Sequence, residues 1–289
     1  MINNDIELCI AENFYQDLNL PDQRQINAFK EYQKIIHYAF HMQQLTNILE
    51  LGTGFSTILF SQLAQYRKCK VFSIDLNVKH FFESIQKTHF FDTLKNNVVF
   101  LEGSSISSKD FWSFYDNAPK QLIGNTTFNN VKDNIHKMVK TSFGIRKWNV
   151  LTKLFQVDTY DEIDVKKLFF SDNGLIFPKD IINIFSYEGD EFDFFKKSNE
   201  VGVLNNLLSK VDCFDLIFFD SGEFSSYIEW NLLNDRIRKG GIAVFHDIYF
   251  PKSFKNFLIC SALFSDPHWK IIYQDLNTPQ GLLIAQKIQ

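Results

Sequence analysis

The stretch Asn47–Thr57, "NILELGTGFST", decides the fold. It opens as a short apolar strand, is punctuated by Gly52 and Gly54, and runs into a helix start with Ser56 and Thr57 in the first turn. A buried strand, a glycine turn and a helix N-terminus in that order make a nucleotide-binding turn, because the free N–H groups at the helix start face the ligand. The turn does not name the nucleotide. The third glycine of a dinucleotide fingerprint, which allows close helix packing, is missing here.

Outward from this turn the pattern repeats. "KVFSIDLN" predicts a second strand ending in Asp75, "HFFESIQKTHF" a second helix, and "NVVFLEGSS" a third strand ending at Gly103. Strands alternating with helices over so short a span imply a parallel, doubly wound sheet. Upstream, Ile26, Phe29, Ile35, Ile36, Ala39 and Phe40 recur at helical spacing. The alternation resumes at "CFDLIFFDSG", a strand ending in Asp220. "YIEWNLLNDRIR" then reads as a helix closed by the glycines of "KGG". "IAVFHDI" is a strand ending at His246-Asp247, and "KSFKNFLICSALF" is a helix. "WKIIYQDLNTPQGLLIAQKI" predicts two strands joined too closely for a parallel crossover, so they pair antiparallel.

The fold expected is therefore α/β, a doubly wound Rossmann-like seven-stranded sheet with an antiparallel C-terminal strand pair. A large α+β insertion separates the third strand from the fourth. Residues 1–44 form an N-terminal helical segment, 45–104 and 210–289 the core, and 105–209 the insertion. The insertion is rich in Phe and Trp, so it must bury something. Within it "HKMVKTSF" and "VLNNLLSKV" predict helices, and "KKLFFSDNGLIF" predicts a hairpin turning at Asn173-Gly174.

Composition bounds the function. The net charge is −4 and no long basic run occurs, which argues against a nucleic-acid partner. The four cysteines, Cys9, Cys69, Cys213 and Cys260, form no CxxC pair and read as small core residues of a reducing compartment. No basic segment precedes an apolar run at the N-terminus, and no apolar run reaches the ~18 residues of a membrane span. A cytoplasmic protein acting on a small molecule, with no membrane partner, is expected.

In an open α/β sheet, ligands bind beyond the carboxyl ends of the strands. The polar residues there converge on one cleft: Glu50 to Thr57, Asp75, Gly103 to Ser105, Asp220 to Glu223, and His246-Asp247. Asp75 lies 21 residues after Gly54, where a carboxylate can accept from both ribose hydroxyls. That fits NAD and S-adenosylmethionine alike. Glu50 separates them on charge, because a carboxylate disfavours a pyrophosphate and suits the ammonium and sulfonium of a methionyl group.

At these residues the sequence resembles the class I S-adenosylmethionine-dependent methyltransferases. "ILELGTGFST" matches their first motif, "VFSIDLN" the acidic second, "FDLIFFDSG" the fourth strand, and "RIRKGGIAVFHDI" the glycine turn and fifth strand. The nearest flavour is the small-molecule O-methyltransferases, including catechol and macrolide-sugar enzymes. The resemblance implies that Glu50, Gly52, Thr53 and Gly54 line the methionyl part, with Ser56 near its carboxylate. Asp75 would hold the ribose, Gly103 and Ser104 would border the adenine, and Asp220 would reach the cofactor from the fourth strand.

For chemistry, metal-dependent members place ligands at the ends of the fourth and fifth strands. The matching residues are Asp220 and Asp247, which could hold Mg²⁺ or Mn²⁺. His246 departs from that pattern, since imidazole suits softer ions. A metal-free alternative makes His246 the general base, oriented by Asp247; neither arrangement is excluded. The catalytic candidates are thus His246, Asp220 and Asp247. Glu223 is a further candidate base, more simply a solvated loop acid. His37 and His41, and Trp112, Tyr115, His136, Lys140, Arg146 and Trp148, read more simply as packing or surface residues. The expected activity is methyl transfer to a hydroxyl of a small molecule, such as a bacterial sugar or natural product. The alternative is a nitrogen acceptor on a small molecule or protein. A non-catalytic binding module and an NAD-dependent oxidoreductase fit less well. Both a monomer and a homodimer are compatible with the sequence.

Overall fold

The computed structural model describes residues 23–86, 90–116, 170–171, 174–175, 186–248, 255–275 and 281–289. The strands are β1 (Asn47–Leu51), β2 (Lys70–Asp75), β3 (Val98–Glu102), β4 (Phe170–Ser171), β5 (Gly174–Leu175), β6 (Phe214–Phe219), β7 (Ile237–His246), β8 (Trp269–Asp275) and β9 (Leu282–Lys287). Seven of them form one sheet in the order β3-β2-β1-β6-β7-β9-β8. Pairs from β3 to β7 are parallel, and β9 runs antiparallel to both β7 and β8. The crossover direction reverses between β1 and β6, so a ligand crevice is expected at the carboxyl ends of those two strands.

The central strands read as continuous apolar runs because both faces of the sheet are covered. All six residues of β6, FDLIFF, are buried. Its side chains alternate between two cores: Ile217 and Phe219 join Trp230, Ile259 and Phe245 on one face, while Leu216 and Phe218 join Ile58, Leu63 and Ile36 on the other. The second face is closed by helices α1 (Gln23–Phe40) and α2 (Phe55–Arg67). Asp215, the one charge in β6, is 1% exposed. It accepts from the backbone N–H groups of Thr46 and Asn47 and pairs with Arg238, so the buried carboxylate is satisfied.

Three local expectations change. "HFFESIQKTHF" is not one helix; α3 (Val78–Ile85) and α4 (Phe90–Asn97) are separate elements. "KGG" does not close a helix. The helix after β6 is α8 (Ser225–Leu233), and β7 already starts at Ile237. Phe214 pairs with Ile237 but Leu216 with Ile242, so the glycines fall in an irregularity of the β6–β7 ladder. A Cβ at Gly241 would lie 2.9 Å from the Asp215 carbonyl oxygen, which is the reason for a glycine there. In the predicted hairpin, β4 and β5 do pair antiparallel, but Gly174 stands opposite Ser171 within the ladder rather than at the turn. Asn173, the segment "HKMVKTSF", His136, Lys140, Arg146, Trp148 and Cys9 lie outside the described residues.

Helix α5 (Ser108–Asp116) follows β3, and α6 (Ser186–Lys197) and α7 (Leu204–Leu208) precede β6. The chain leaving β3 and the chain returning to β6 meet. Ser107 bridges Val201, and the N–H groups of Val203 and Leu204 donate to the carbonyls of Ser104 and Ser105. Phe195 of α6 stacks on Phe111 of α5, with ring centroids 4.2 Å apart.

Candidate functional site

A cavity of about 420 Å³ opens at the carboxyl ends of β1, β2, β3 and β6. Its strand-end wall is made of Gly52, Asp75, Gly103, Ser104, Ser105 and Asp220, as the crevice rule requires. A second wall comes from residues the sequence reading did not single out: Glu191, Phe194 and Phe195 of α6, and Ser225 and Glu229 of α8. Four carboxylates, those of Asp75, Glu191, Asp220 and Glu229, face this space. Among the described residues lining it there is no Lys, Arg or His.

Backbone geometry sets the rim. The Gly52 N–H donates to the Ile74 carbonyl, that of Gly103 to the Asp75 carbonyl, and that of Asp220 to the Leu51 carbonyl. Gly52 has φ +99 and Gly103 φ +136, both in the region that side chains avoid. Asp75 braces two turns at once. Its Oδ2 accepts from the Thr53 N–H at 3.0 Å and its Oδ1 from the Asn77 N–H at 2.8 Å. The cap of α3 itself is Asn77, whose side chain accepts from the His80 N–H.

Glu50 is fully buried and does not line the cavity. Its Oε1 accepts from the Ser56 hydroxyl at 2.5 Å, and its Oε2 from the Thr57 and Ser73 hydroxyls at 2.6 Å each. Burial pushes its carboxyl up to about 7 against the opposing effect of the three hydroxyls, and the nearby Asp220 charge adds to the rise. Glu50 is thus the hub that ties the glycine turn and the start of α2 to β2. Thr53, Gly54 and Ser56 are likewise absent from the cavity lining.

Glu229 is the acid the sequence reading missed on the cavity side. Its Oε1 accepts from the Ser105 hydroxyl at 2.5 Å, and its Oε2 from the Ser221 hydroxyl. Burial raises its carboxyl to about 7, the two hydroxyls oppose this, and neighbouring Glu191 adds to it. Glu191 accepts from the Phe224 and Ser225 N–H groups at the start of α8, and burial holds its carboxyl above the ordinary value. The one signal for Glu229 was a lone acid between Ile228 and Trp230, inside an otherwise apolar helical stretch.

Beside Asp220 lies a second cluster. Ligand-type atoms of Asp220, His246 and Asp247 fall within 4.8 Å of one another, the one such set among the described residues. His246 Nδ1 is 3.2 Å from Asp220 Oδ1 and 3.8 Å from Asp247 Oδ2. Asp247 has φ +57, an unusual conformation for a side-chain-bearing residue and a mark of constrained backbone. The His246 ring is buried, tilted against Tyr32 and Phe218, and does not line the cavity. Lys255, unforeseen in the sequence, sits on the same acids: its Nζ is 2.6 Å from Asp220 Oδ1 and 3.5 Å from Asp247 Oδ2. Burial opposes the charge on Lys255, but Asp220, Asp247 and Glu223 outweigh it and hold the ammonium above its ordinary range. Burial likewise opposes the charge on Asp220, and Lys255 and His246 reverse the balance and bring it down to about 2. A divalent ion between Asp220 and Asp247 would meet this buried ammonium, so the residues present fit Mg²⁺ or Mn²⁺ poorly.

Other candidates take structural places. Glu223 is partly buried, accepts from the Lys255 backbone N–H at 2.6 Å and does not line the cavity. The Trp112 indole N–H donates to the Phe195 carbonyl, and its ring joins the core. His37 and His41 stack edge to face with centroids 4.7 Å apart.

The order of the seven strands, with its antiparallel last pair, is that of the class I S-adenosylmethionine-dependent methyltransferases. The chain has their fold. No family model matches it, and no curated protein matches it in sequence. Among solved structures it is similar to the O-methyltransferase from Bacillus cereus in complex with SAH, at 14% identity and TM-score 0.40, over 98% of this chain and 90% of that one. It is also similar to an rRNA methylase from Streptococcus thermophilus, at 10% identity and TM-score 0.40, over 90% of this chain and 97% of that one. A third is precorrin-6y C5,15-methyltransferase from Geobacter metallireducens, at 10% identity and TM-score 0.38, over 89% of each chain. No helix among the described residues is long and apolar enough to cross a membrane.

Proposed function

We propose that the protein binds S-adenosylmethionine in the strand-end cavity and transfers its methyl group to a hydroxyl of a small molecule. The observation that carries this reading is the make-up of the cavity wall. It offers four carboxyl groups as acceptors and no lining Lys, Arg or His to pair with a pyrophosphate, a set that suits a ligand bearing a sulfonium and an ammonium, even with Lys255 neutralising Asp220 from behind and burial favouring the protonated forms of Glu191 and Glu229.

Within that reading the residues divide by position. Asp75 at the end of β2 would accept from the ribose hydroxyls. Gly103 and Ser104 would border the adenine, with Glu229 behind Ser105 as an acceptor for its exocyclic amine. Gly52 and Asp220 would flank the methionyl end. When bound, the cofactor supplies an electrophilic methyl group, and the protein's task is to align the acceptor and remove its proton. Of the three strand-end candidates Asp220 is the one that lines the cavity, so the acceptor's proton would leave by way of Asp220, with His246 Nδ1 3.2 Å behind it on Asp220 Oδ1. Residues 105–209 would form the acceptor lid; α6 already contributes Glu191, Phe194 and Phe195 to the wall.

A nitrogen acceptor is the second reading. A neutral amine needs no metal, and Lys255 already fills the place between the strand-end acids. The test of the primary reading is calorimetric titration with S-adenosylmethionine, S-adenosylhomocysteine and NADH. Binding of the first two and not the third is expected; no binding of either sulfur ligand would sink it. Product analysis across alcohol and amine acceptors separates the two readings.

A further inference from the structure

The acids at the ends of β6 and β7 already have a cation. Lys255 reaches Asp220 Oδ1 at 2.6 Å and Asp247 Oδ2 at 3.5 Å, and its side chain is only 8% exposed. It is no loose surface arm. Its backbone N–H donates to Glu223 Oε2 at 2.6 Å, and its carbonyl accepts from the Ser226 hydroxyl at 2.8 Å. The next residue, Asn256, donates from Nδ2 to the carbonyls of Phe219 and His246, at 3.0 and 2.6 Å. Both strand ends therefore clamp the segment that carries the lysine.

We infer that the Asp220–His246–Asp247 cluster takes no divalent metal, and that the Lys255 ammonium is its resident cation. A Mg²⁺ ion needs carboxylate oxygens at about 2.0–2.1 Å in near-octahedral array, with room for several waters. Here the Asp220 oxygen nearest the site is shared by the ammonium and the His246 ring. An ion bridging Asp220 and Asp247 would sit beside a buried like charge, a repulsion that water cannot screen well there. An imidazole in the set adds preference for softer ions only. Lys255 thus acts as a positioning residue. It neutralises Asp220, holds its carboxylate in one orientation, and leaves the other oxygen of Asp220 for whatever the cavity binds. The inference concerns the cluster alone and stands whether or not the cavity takes S-adenosylmethionine.

The experiment is titration of the full chain with Mn²⁺, read by the loss of the free-ion paramagnetic resonance signal, for the wild type and for Lys255→Met. The wild type is expected to show no stoichiometric site up to about 1 mM, the weak end of protein divalent sites. Lys255→Met, which keeps the stem and removes the charge, is expected to bind Mn²⁺ at least about tenfold more tightly. One Mn²⁺ bound per wild-type chain below that concentration overturns the inference. So does a folded Lys255→Met protein, matched to wild type by circular dichroism, that gains no affinity. If the variant does not fold, the wild-type titration decides alone.

Discussion

Gly52 packs directly against the backbone of Asp220: a Cβ at position 52 would collide with the Asp220 carbonyl oxygen and stand 3.0 Å from its carbonyl carbon. The contact joins the turn after β1 to the end of β6, the two strands that flank the crevice. Gly52 also has φ +99, so a side chain there is strained even before the clash. Gly54 has φ −165, which any residue adopts, and open space where its Cβ would be. Gly52→Ala is therefore expected to cost about 3 kcal/mol or more in urea unfolding, and Gly54→Ala no more than about 1 kcal/mol. Equal costs would show that the two glycines share one role.

Glu50 supplies the second prediction. Glu50→Ala removes the acceptor of three hydroxyls, those of Ser56, Thr57 and Ser73, and leaves a void in a fully buried site. Unpaired buried groups and lost packing together are expected to lower stability by about 2–4 kcal/mol. Glu50→Gln keeps the shape and one acceptor oxygen and should cost less. Urea midpoints check this; an alanine variant as stable as wild type would mean that the hydroxyls find water instead.

The reach of the sequence follows from these two residues. The strand–turn–helix rhythm is written in local apolar periodicity, so the sheet and its antiparallel end could be read directly. That Glu50 lies at a strand end was equally plain, but whether it points at a ligand or at three hydroxyls depends on Ser73, which lies on another strand. Glu229 and Lys255 were harder. One follows β6 on helix α8 and the other follows β7, and only the packing of both segments against the strand ends brings them to Ser105 and Asp220. Their neighbours in sequence carry no motif. The glycines of "KGG" misled because a helix stop and a ladder irregularity use the same residue for different reasons.

Buried acids also set a pH dependence. Glu50 and Glu229 rise from 4.5 to about 7 on folding. Groups raised in this way hold protons more tightly when folded, so their contribution is full below about pH 4.5 and is lost as pH climbs through about 7. Each shift corresponds to roughly 3 kcal/mol at most. Asp220, lowered to about 2, loses its contribution only at more acidic pH and does not confuse this window. The melting temperature of the ligand-free protein should fall between about pH 5 and about pH 7.5, and Glu229→Gln should flatten part of that slope. An unchanged slope in the variant would place the titration elsewhere.

Asp75 gives the sharpest test of the ligand. It is the cavity acid at the end of β2, with each of its oxygens already accepting one backbone N–H and retaining lone pairs toward the open side. If it receives both ribose hydroxyls, Asp75→Ala loses two hydrogen bonds, each worth about 1.5–3 kcal/mol to a charged acceptor, and affinity should drop about 100-fold or more. The ribose is common to S-adenosylmethionine and S-adenosylhomocysteine, so calorimetry should find the same fold-loss for both. A loss confined to S-adenosylmethionine would instead put Asp75 near the sulfonium, the only charge by which the two ligands differ, and would reverse the orientation assigned to the cofactor in this cavity.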